Sequence, residues 1–116
     1  MANPSKAKGD RAELEAARWI SDLLGVECRR KLGAGRTDDT GDLDAPPGSV
    51  LDGWVLEVKN YRDIPAAIRD GLADAEREQA NSRRPFGAAL IRRPGGRWFV
   101  AMTVEQFAGV VREVAS

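Results

Sequence analysis

The segment WVLEVKNY, residues 54–61, places an acidic and a basic side chain in an otherwise apolar stretch. In a β-strand successive side chains alternate between faces, so Glu57 and Lys59 share one face while Leu56 and Val58 share the other. Burying an ion costs several kcal/mol unless a partner or a metal compensates it. The segment therefore indicates either a half-exposed edge strand or a pair of charges placed for chemistry.

A second acidic residue, Glu13, lies on the apolar side of a helix predicted over residues 8–24. It precedes Ala16 by three positions and Ile20 by seven, which is the spacing of one helical face. We therefore expect Glu13 to point inward. Glu15 is predicted to lie on the solvent-exposed face of the same helix.

Gln79 and Asp42 also occupy positions where a polar side chain is unexpected. Gln79 continues the apolar stripe Ile68, Leu72 and Ala75 of a second predicted helix, so it is predicted to face inward. Asp42 opens a short strand directly after the glycine-rich segment GAGRTDDTG. Both residues thus become candidates for a polar site.

Each of these residues also has a purely structural interpretation. Glu13 suits the first turn of a helix, where an acid interacts favourably with the helix dipole. Asp42 suits a turn, and Gln79 suits the boundary of a core. Glu57 and Lys59 could form an exposed ion pair worth at most ~1 kcal/mol.

Taken together, the same residues describe a site for phosphodiester hydrolysis. Asp42 and Glu57, on neighbouring strands, would repel each other at short range in a poorly solvated site. A divalent cation relieves that repulsion, and Mg²⁺ accepts two or three carboxylates together with water. Lys59 would point at the same place and hold or activate a water. Such a metal lowers the pKa of water and neutralises charge that develops on phosphate.

The composition limits the chemistry further. A chain of 116 residues with 42% hydrophobic content fits one domain. It has no histidine, so a metal site would rest on oxygen ligands or on the single thiol, Cys28. A lone cysteine excludes an internal disulfide and favours a reducing compartment. The sequence shows neither an export leader nor an apolar run of ~18 residues, so we expect a cytoplasmic protein that does not enter membranes.

Hydrophobic periodicity and turn residues predict an α/β domain with a mixed central β-sheet flanked by helices, in the order αβββαββα. Residues 1–7 are predicted to be a flexible N-terminus and residues 8–116 a single domain. Asp63 with Pro65 predicts a helix start, and Thr103 with Gln106 a capping box. The segment Pro94-Gly95-Gly96 predicts a hairpin between the last two strands.

The ordered set KGDRAELEAARWI, RRKLGAG, GDLDA and WVLEVKN resembles the PD-(D/E)XK nucleases. Within that superfamily it is most similar to the archaeal-type Holliday junction resolvases and their phage or bacterial relatives, over about residues 8–104. The resemblance implies a restriction-endonuclease-like fold and a Mg²⁺-dependent DNA endonuclease, with Mn²⁺ as a substitute. It also implies a homodimer that acts on four-way junctions in recombination or repair, in a bacterial or phage-infected cell.

The resemblance assigns roles to five residues. Glu13 matches the helical acidic residue and a third metal ligand, Asp42 and Glu57 match the metal ligands, and Lys59 matches the catalytic lysine. Gln79 falls where related nucleases place a supporting polar residue.

DNA contacts are expected from residues of the basic clusters and of the segments that resemble the family. These residues are Lys8, Arg29, Arg30, Lys31, Arg36, Arg83 and Arg84. The sequence departs from the family pattern in its neutral net charge, in Leu14 where an arginine is usual, and in a longer spacing between Asp42 and Glu57. The spacing makes Asp44 an alternative ligand.

Two other functions stay open at this point. The same chemistry could act on flaps, linear duplex or damaged DNA. The chain could also be a catalytically silent nucleic-acid-binding module, although a silent module has no need of charges at strained positions such as Glu57.

Overall fold

The computed structural model of the protein describes residues 4–31 and 41–116. Within these ranges the element order is αβββαββα, as predicted. The elements are α1 (Pro4–Leu24), β1 (Arg29–Arg30), β2 (Leu43–Asp44), β3 (Trp54–Lys59), α2 (Ile64–Ser82), β4 (Phe86–Arg93), β5 (Arg97–Ala101) and α3 (Val104–Ala115).

The strands form a mixed three-stranded sheet and a small two-stranded ribbon. β3 pairs with β4 in parallel and β4 pairs with β5 in antiparallel orientation, while β1 and β2 form the antiparallel ribbon. A single bridge between Gly41 and Leu56 brings the start of β2 alongside β3. The predicted α/β class with a mixed sheet is therefore confirmed.

Helix α2 begins and ends where its sequence indicates. Asp63 is the N-cap, and its Oδ1 accepts a hydrogen bond from the backbone N–H of Ala66 at 3.1 Å. Pro65 lies in the first turn, where the missing N–H is not needed. The helix ends at Arg83, which adopts the left-handed conformation with φ of 57°.

Helix α3 begins at its predicted cap, but its capping box is only half formed. Thr103 Oγ1 accepts a hydrogen bond from the backbone N–H of Gln106 at 3.1 Å. The side chain of Gln106 does not return to Thr103. Its Oε1 instead accepts from the backbone N–H of Gly87 at 3.1 Å, which ties α3 to β4.

Other element boundaries differ from the prediction. Helix α1 begins at Pro4, so residues 4–7 belong to the helix and not to a loose N-terminus. Proline is tolerated in the first turn of a helix, and Lys6 pairs with Asp10 one turn later at 2.9 Å. Strand β3 begins at Trp54, directly after turns that end at Gly53, with φ of 89°.

Helices cover both faces of β3. On one face Leu56 and Val58 pack into a core with Ala16 and other residues of α1. On the other face a second core contains Ala67, on α2, and Ile91, on β4. Residues 55–58 are consequently all buried, and Glu57 lies between layers of structure instead of on an exposed edge.

Small residues form the buried face of α2. Its buried positions are Ala67, Gly71, Ala75 and Glu78, while Ile68 is 38% exposed. The predicted inward stripe is therefore correct at Ala75 and wrong at Ile68, and the other buried positions precede Ile68, Leu72 and Gln79 by one residue. Small side chains face inward because the helix lies close to the sheet. A Cβ atom on Gly71 would stand 2.7 Å from Cβ of Ala89.

Helix α3 leaves its apolar face exposed. Val104, Phe107, Val111 and Val114 are between 48% and 81% exposed, and none of the residues of α3 is buried. None of the described helices has the length and apolar character needed to cross a membrane.

Candidate functional site

Glu57 is the most unusual buried side chain of the described residues. It is 3% exposed, and no hydrogen-bond donor among them reaches its Oε2. Burial first, and then the carboxyl groups of Glu78 and Asp42, raise the pKa of Glu57 to about 11. Carboxylates only accept hydrogen bonds, so these acids stabilise one another only through a shared proton or a cation.

Asp42 reaches Glu57 because its backbone is held against β3. The N–H of Asp42 donates to the carbonyl of Leu56, and its Oδ2 accepts from the N–H of Val58, both at 2.8 Å. Gly41 makes this approach possible. A Cβ atom at Gly41 would stand 2.9 Å from the backbone N and O of Leu56, and its φ of 102° also favours glycine.

The structure brings Asp42, and not Asp44, to the buried acid. Asp44 is exposed and is paired across the ribbon with Arg29. Asp42 contributes to the raised pKa of Glu57, both by its charge and by contact between the side chains. Of the two aspartates, Asp42 is thus the one that could share a metal with Glu57.

Glu13 faces the same group of acids, as its helical position predicts. Its pKa is raised by burial first and then by the charge of Asp42. Arg30 offsets part of this repulsion, because its Nε donates to Oε1 of Glu13 at a long 3.4 Å. We refer to Glu13, Asp42, Glu57 and Glu78 as the acidic cluster.

The prediction that Glu15 lies on the solvent-exposed face of α1 is wrong, because its side chain is half-buried. Its Oε1 accepts hydrogen bonds from Nε1 of Trp98 at 2.8 Å and from Nε of Arg92 at 3.1 Å. Glu15 therefore ties α1 to the β4–β5 hairpin. Helical periodicity gave no sign of these partners, because they are 83 and 77 residues away in sequence.

Lys59 points from β3 toward α2. Its Nζ donates to Oδ2 of Asp74 at 2.7 Å. Burial favours the neutral amine, but the hydrogen bond and charge of Asp74, with a contribution from Glu57, leave the pKa of Lys59 raised overall. At neutral pH Lys59 is a cation next to the acidic cluster.

The contacts between β3 and α2 follow a regular register. Glu57 lies against Glu78, Lys59 contacts Asp74, and two residues further on Tyr61 donates to Oδ2 of Asp70 at 3.1 Å. Two residues of a strand rise about 6.7 Å, and four residues of a helix rise about 6 Å. The acids at positions 70, 74 and 78 therefore meet alternate residues of the strand.

Gln79 does not contact the other four predicted catalytic residues in any hydrogen bond of the described structure. Its Nε2 donates to the carbonyl of Pro85 at 2.9 Å, and its Oε1 accepts from Gln106 at 2.8 Å. This network joins the end of α2 to the start of β4 and to α3. The residue of α2 that lies against Glu57 is the preceding one, Glu78, which is 2% exposed.

The sequence does not single out Glu78, because the larger side chains of Ile68 and Leu72 predict a different inward stripe. The alternative stripe of small residues, continued by Glu78, has the same helical spacing and could have identified it. The feature that identifies this stripe is the series Ala67, Gly71 and Ala75, which has helical spacing and is followed by the acidic Glu78.

The predicted DNA-binding residues are dispersed, and several already bind acids or backbone. Arg30 forms an ion pair with Asp10 at 2.8 Å, and Arg84 donates to the carbonyl of Trp54 at 3.1 Å. Arg84 is thus at the start of β3, whereas Lys59 is at its end. The others are Arg29, Arg83 and Lys8, which are exposed, Lys31, whose Nζ is buried, and Arg36, which lies outside the described residues.

The donor chemistry of the acidic cluster suits a hard divalent cation. Carboxylate oxygens are preferred by Mg²⁺ and Mn²⁺, and no donor in the part of the chain that the structure describes reaches Oε2 of Glu57. In residues 4–31 and 41–116 no three acidic or sulfur side chains already surround one point as a formed metal site would. The acids meet in pairs, so a cation would have to draw their oxygens together.

The acidic cluster is separate from the apolar groove between α1 and β5. That groove has a volume of about 400 Å³ and is lined by residues such as Trp19, Ile20 and Phe99, with no carboxylate.

Comparison of the chain with protein-family models, with curated proteins and with solved structures found no match. Function must therefore be inferred from the side chains themselves.

Proposed function

We propose that the protein is a divalent-metal-dependent endonuclease that hydrolyses DNA phosphodiester bonds, with a restriction-endonuclease-like fold. The observation that supports this most directly is the buried carboxyl of Glu57, which lies against Asp42 and whose Oε2 meets no donor from the described residues. A purely structural role would favour an apolar residue here, because a buried carboxylate is costly. The cost is understandable if the carboxylate binds a cation.

Asp42 and Glu57 would hold Mg²⁺ or Mn²⁺, with Glu13 as a further acidic group beside Asp42. When bound, such a cation lowers the pKa of a water and offsets negative charge on the phosphate. Asp42 is well fixed for this task, because Val58 N–H holds one of its oxygens and its own backbone is paired with β3. Rigid ligands keep a site in its productive geometry.

Lys59 would act as a cation that contacts the phosphate or the attacking water. Hydrolysis forms a bond from the water oxygen to phosphorus, breaks the bond from phosphorus to one sugar oxygen, and delivers a proton to the departing oxygen. The ammonium of Lys59 can donate a hydrogen bond to a non-bridging phosphate oxygen, where negative charge increases. Asp74 fixes the direction of this side chain.

We propose the four-way DNA junction as the substrate and a homodimer as the active form. Support comes from the ordered residues Glu13, Asp42, Glu57 and Lys59, which resemble those of the junction resolvases. A two-fold dimer would present two sites to the two-fold symmetric junction. The sequence has no base-reading motif, and this fits recognition of shape.

The test is cleavage of one labelled four-way junction, a flap and a linear duplex of equal length, with Mg²⁺ or with EDTA. We expect junction cleavage with Mg²⁺, no cleavage in EDTA, and none by Glu57→Gln. Preferential cleavage of the flap or the duplex would show that this DNA, and not the junction, is the substrate. If no DNA is cut under any condition, the endonuclease proposal is wrong.

A further inference from the structure

The side chain of Lys59 is packed along its whole length against α2 and Tyr61. Its Nζ donates to Oδ2 of Asp74 at 2.7 Å, and the centre of the Tyr61 ring lies 5.8 Å from the same nitrogen, within the range of a cation–π contact. A Cβ atom on Gly71 would stand 3.4 Å from Cγ of Lys59, so the glycine leaves room for the lysine stem. The side chain of Lys59 is accordingly only 16% exposed.

Both carboxylate oxygens of Asp74 accept hydrogen bonds from cations. Its Oδ2 accepts from Lys59, and its Oδ1 accepts from Nη1 of Arg77, one turn later on α2, at 3.0 Å. Burial opposes ionisation, but the hydrogen bonds and charges of Lys59 and Arg77 leave the pKa of Asp74 lowered overall. Asp74 is therefore an ionised group whose orientation is fixed from two sides.

The contact with Asp74 restricts where the ammonium of Lys59 can lie. A lysine has a flexible stem of four carbons, so an unpaired side chain would spread its ammonium over several positions. An ammonium has three N–H donors, and Asp74 accepts only one of them. Glu57 shares the same face of β3 two residues earlier. The ammonium is thus held beside the acidic cluster with donors left for an oxygen that approaches it.

We propose that Asp74 is a positioning residue, which acts on the phosphate only through Lys59 by fixing the ammonium beside the acidic cluster. The inference rests on the proposed nuclease site and adds a residue of α2 to it. The supporting polar residue of α2 is then Asp74, and not Gln79, whose hydrogen bonds join α2 to β4 and α3. Positioning affects the rate, because a catalytic group misplaced by about 1 Å loses much of its effect.

The first measurement is single-turnover cleavage of the labelled junction with Mg²⁺, at saturating enzyme, by Asp74→Ala and Asp74→Asn. Alanine removes the acceptor for Lys59, whereas asparagine keeps an oxygen acceptor without the charge. We expect Asp74→Ala to lower the rate roughly 10- to 100-fold, and Asp74→Asn to recover part of it. Junction affinity in EDTA should not fall in either variant, because an acid near the phosphates is removed.

Glu76→Gln is the matched control for this measurement. Glu76 is exposed on the same helix, and its substitution removes the same charge from the protein. The control should cut the junction at the rate of the wild type. A general effect of net charge on DNA binding would instead change Glu76→Gln and Asp74→Asn alike.

A double-mutant cycle separates positioning from a purely structural ion pair. If Asp74 acts through Lys59, Asp74→Ala should slow the wild type but have no further effect on the residual rate of Lys59→Met. A structural ion pair would lower the free energy of unfolding in urea and leave the rate at saturating enzyme close to that of the wild type. Should Asp74→Ala fail to fold, Asp74→Asn takes its place in the cycle, because it also removes the charge that holds the ammonium.

The outcomes distinguish this inference from the proposed function. Unchanged rates in the folded Asp74 variants, or an equal loss in Glu76→Gln, would overturn the positioning role and leave the nuclease in place. The same holds if Asp74→Ala slows Lys59→Met as much as it slows the wild type. Failure of the wild type to cut any DNA would instead overturn the proposed function, and the role of Asp74 with it.

Discussion

At the scale of the residue, Asp42 serves two purposes that can be separated by mutation. One oxygen accepts from the N–H of Val58 and so holds the edge of β3. The carboxylate charge lies against Glu57, where only a cation or a proton makes it favourable. Asparagine keeps an acceptor for Val58 but loses the charge, so structure and metal binding should respond differently.

We expect Asp42→Asn to abolish cleavage while changing the free energy of unfolding by less than about 1 kcal/mol, because the hydrogen bond to Val58 is retained. Junction binding without divalent metal should be unchanged or tighter, because a negative charge near the phosphates is gone. Gel shift and cleavage of one labelled junction measure both properties. Asp44→Asn is the matched control and should cut normally. Loss of cleavage in Asp44→Asn alone would identify the other aspartate as the ligand.

Glu13 provides a second prediction at the same scale. Its carboxyl is half-buried beside Asp42, so Glu13→Gln should lower the rate of cleavage by roughly 100-fold. Glu27→Gln serves as the control, because Glu27 is exposed and lies outside the cluster. Glu15→Gln does not serve, since Glu15 binds Trp98 and Arg92. Equal rates for Glu13→Gln and Glu27→Gln in a cleavage time course would remove Glu13 from the site.

At the scale of the element, the register between β3 and α2 sets the local electrostatics. Asp74 pairs with the cationic Lys59, so that pair is neutral overall, while Glu78 meets the acid Glu57. One helix thus gives the strand an ion pair at one contact and an acid pair at the next.

The sequence was sufficient to predict which elements form, but not which face of α2 is buried. Caps at Asp63 and Thr103 act within a few residues, so local chemistry determines where those helices begin. The buried face depends on how closely α2 approaches β4, and that distance is set by Gly71 against Ala89, far apart in sequence. For this reason the sequence predicts that Gln79 faces inward, whereas the structure buries its neighbour Glu78.

Gly71 tests the importance of that close approach. Gly71→Ala would place Cβ 2.7 Å from Ala89 Cβ and 3.4 Å from Cγ of Lys59. Helix propensity would gain about 1 kcal/mol, but overpacking costs more, so we expect a net loss of roughly 1–2 kcal/mol. Urea unfolding measures this difference. Cleavage should also fall, because α2 and its acids move away from β3.

Gly109 is the matched control for Gly71, because it also lies inside a helix. A Cβ atom there would meet its nearest neighbours only at 3.9 Å. Gly109→Ala should therefore stabilise the protein by about 0.5–1 kcal/mol. If both substitutions stabilise it, α2 can shift without cost and the close approach is not required.

At the scale of the whole molecule, charge limits how the protein can bind DNA. The chain has 18 basic and 18 acidic residues, so its formal net charge is zero. Within the described residues Arg30 is already paired with Asp10, and the acidic cluster would face the phosphates at the site of cleavage. DNA binding depends mainly on cationic groups that neutralise phosphate. We therefore expect the proposed site to repel the phosphates of DNA when no metal is bound.

A divalent cation should accordingly be needed for tight binding as well as for cleavage. We expect Ca²⁺ to strengthen junction binding relative to EDTA without cutting, since its larger and more flexible coordination places water poorly. Mg²⁺ and Mn²⁺ should support both binding and cleavage. Fluorescence anisotropy with a labelled junction at fixed ionic strength measures binding, and Glu57→Gln should show a smaller gain from Ca²⁺ than the wild type. Equal affinity in EDTA and Ca²⁺ would mean that the acidic cluster does not lie against the phosphates, and robust cutting in EDTA would exclude a metal-dependent reaction.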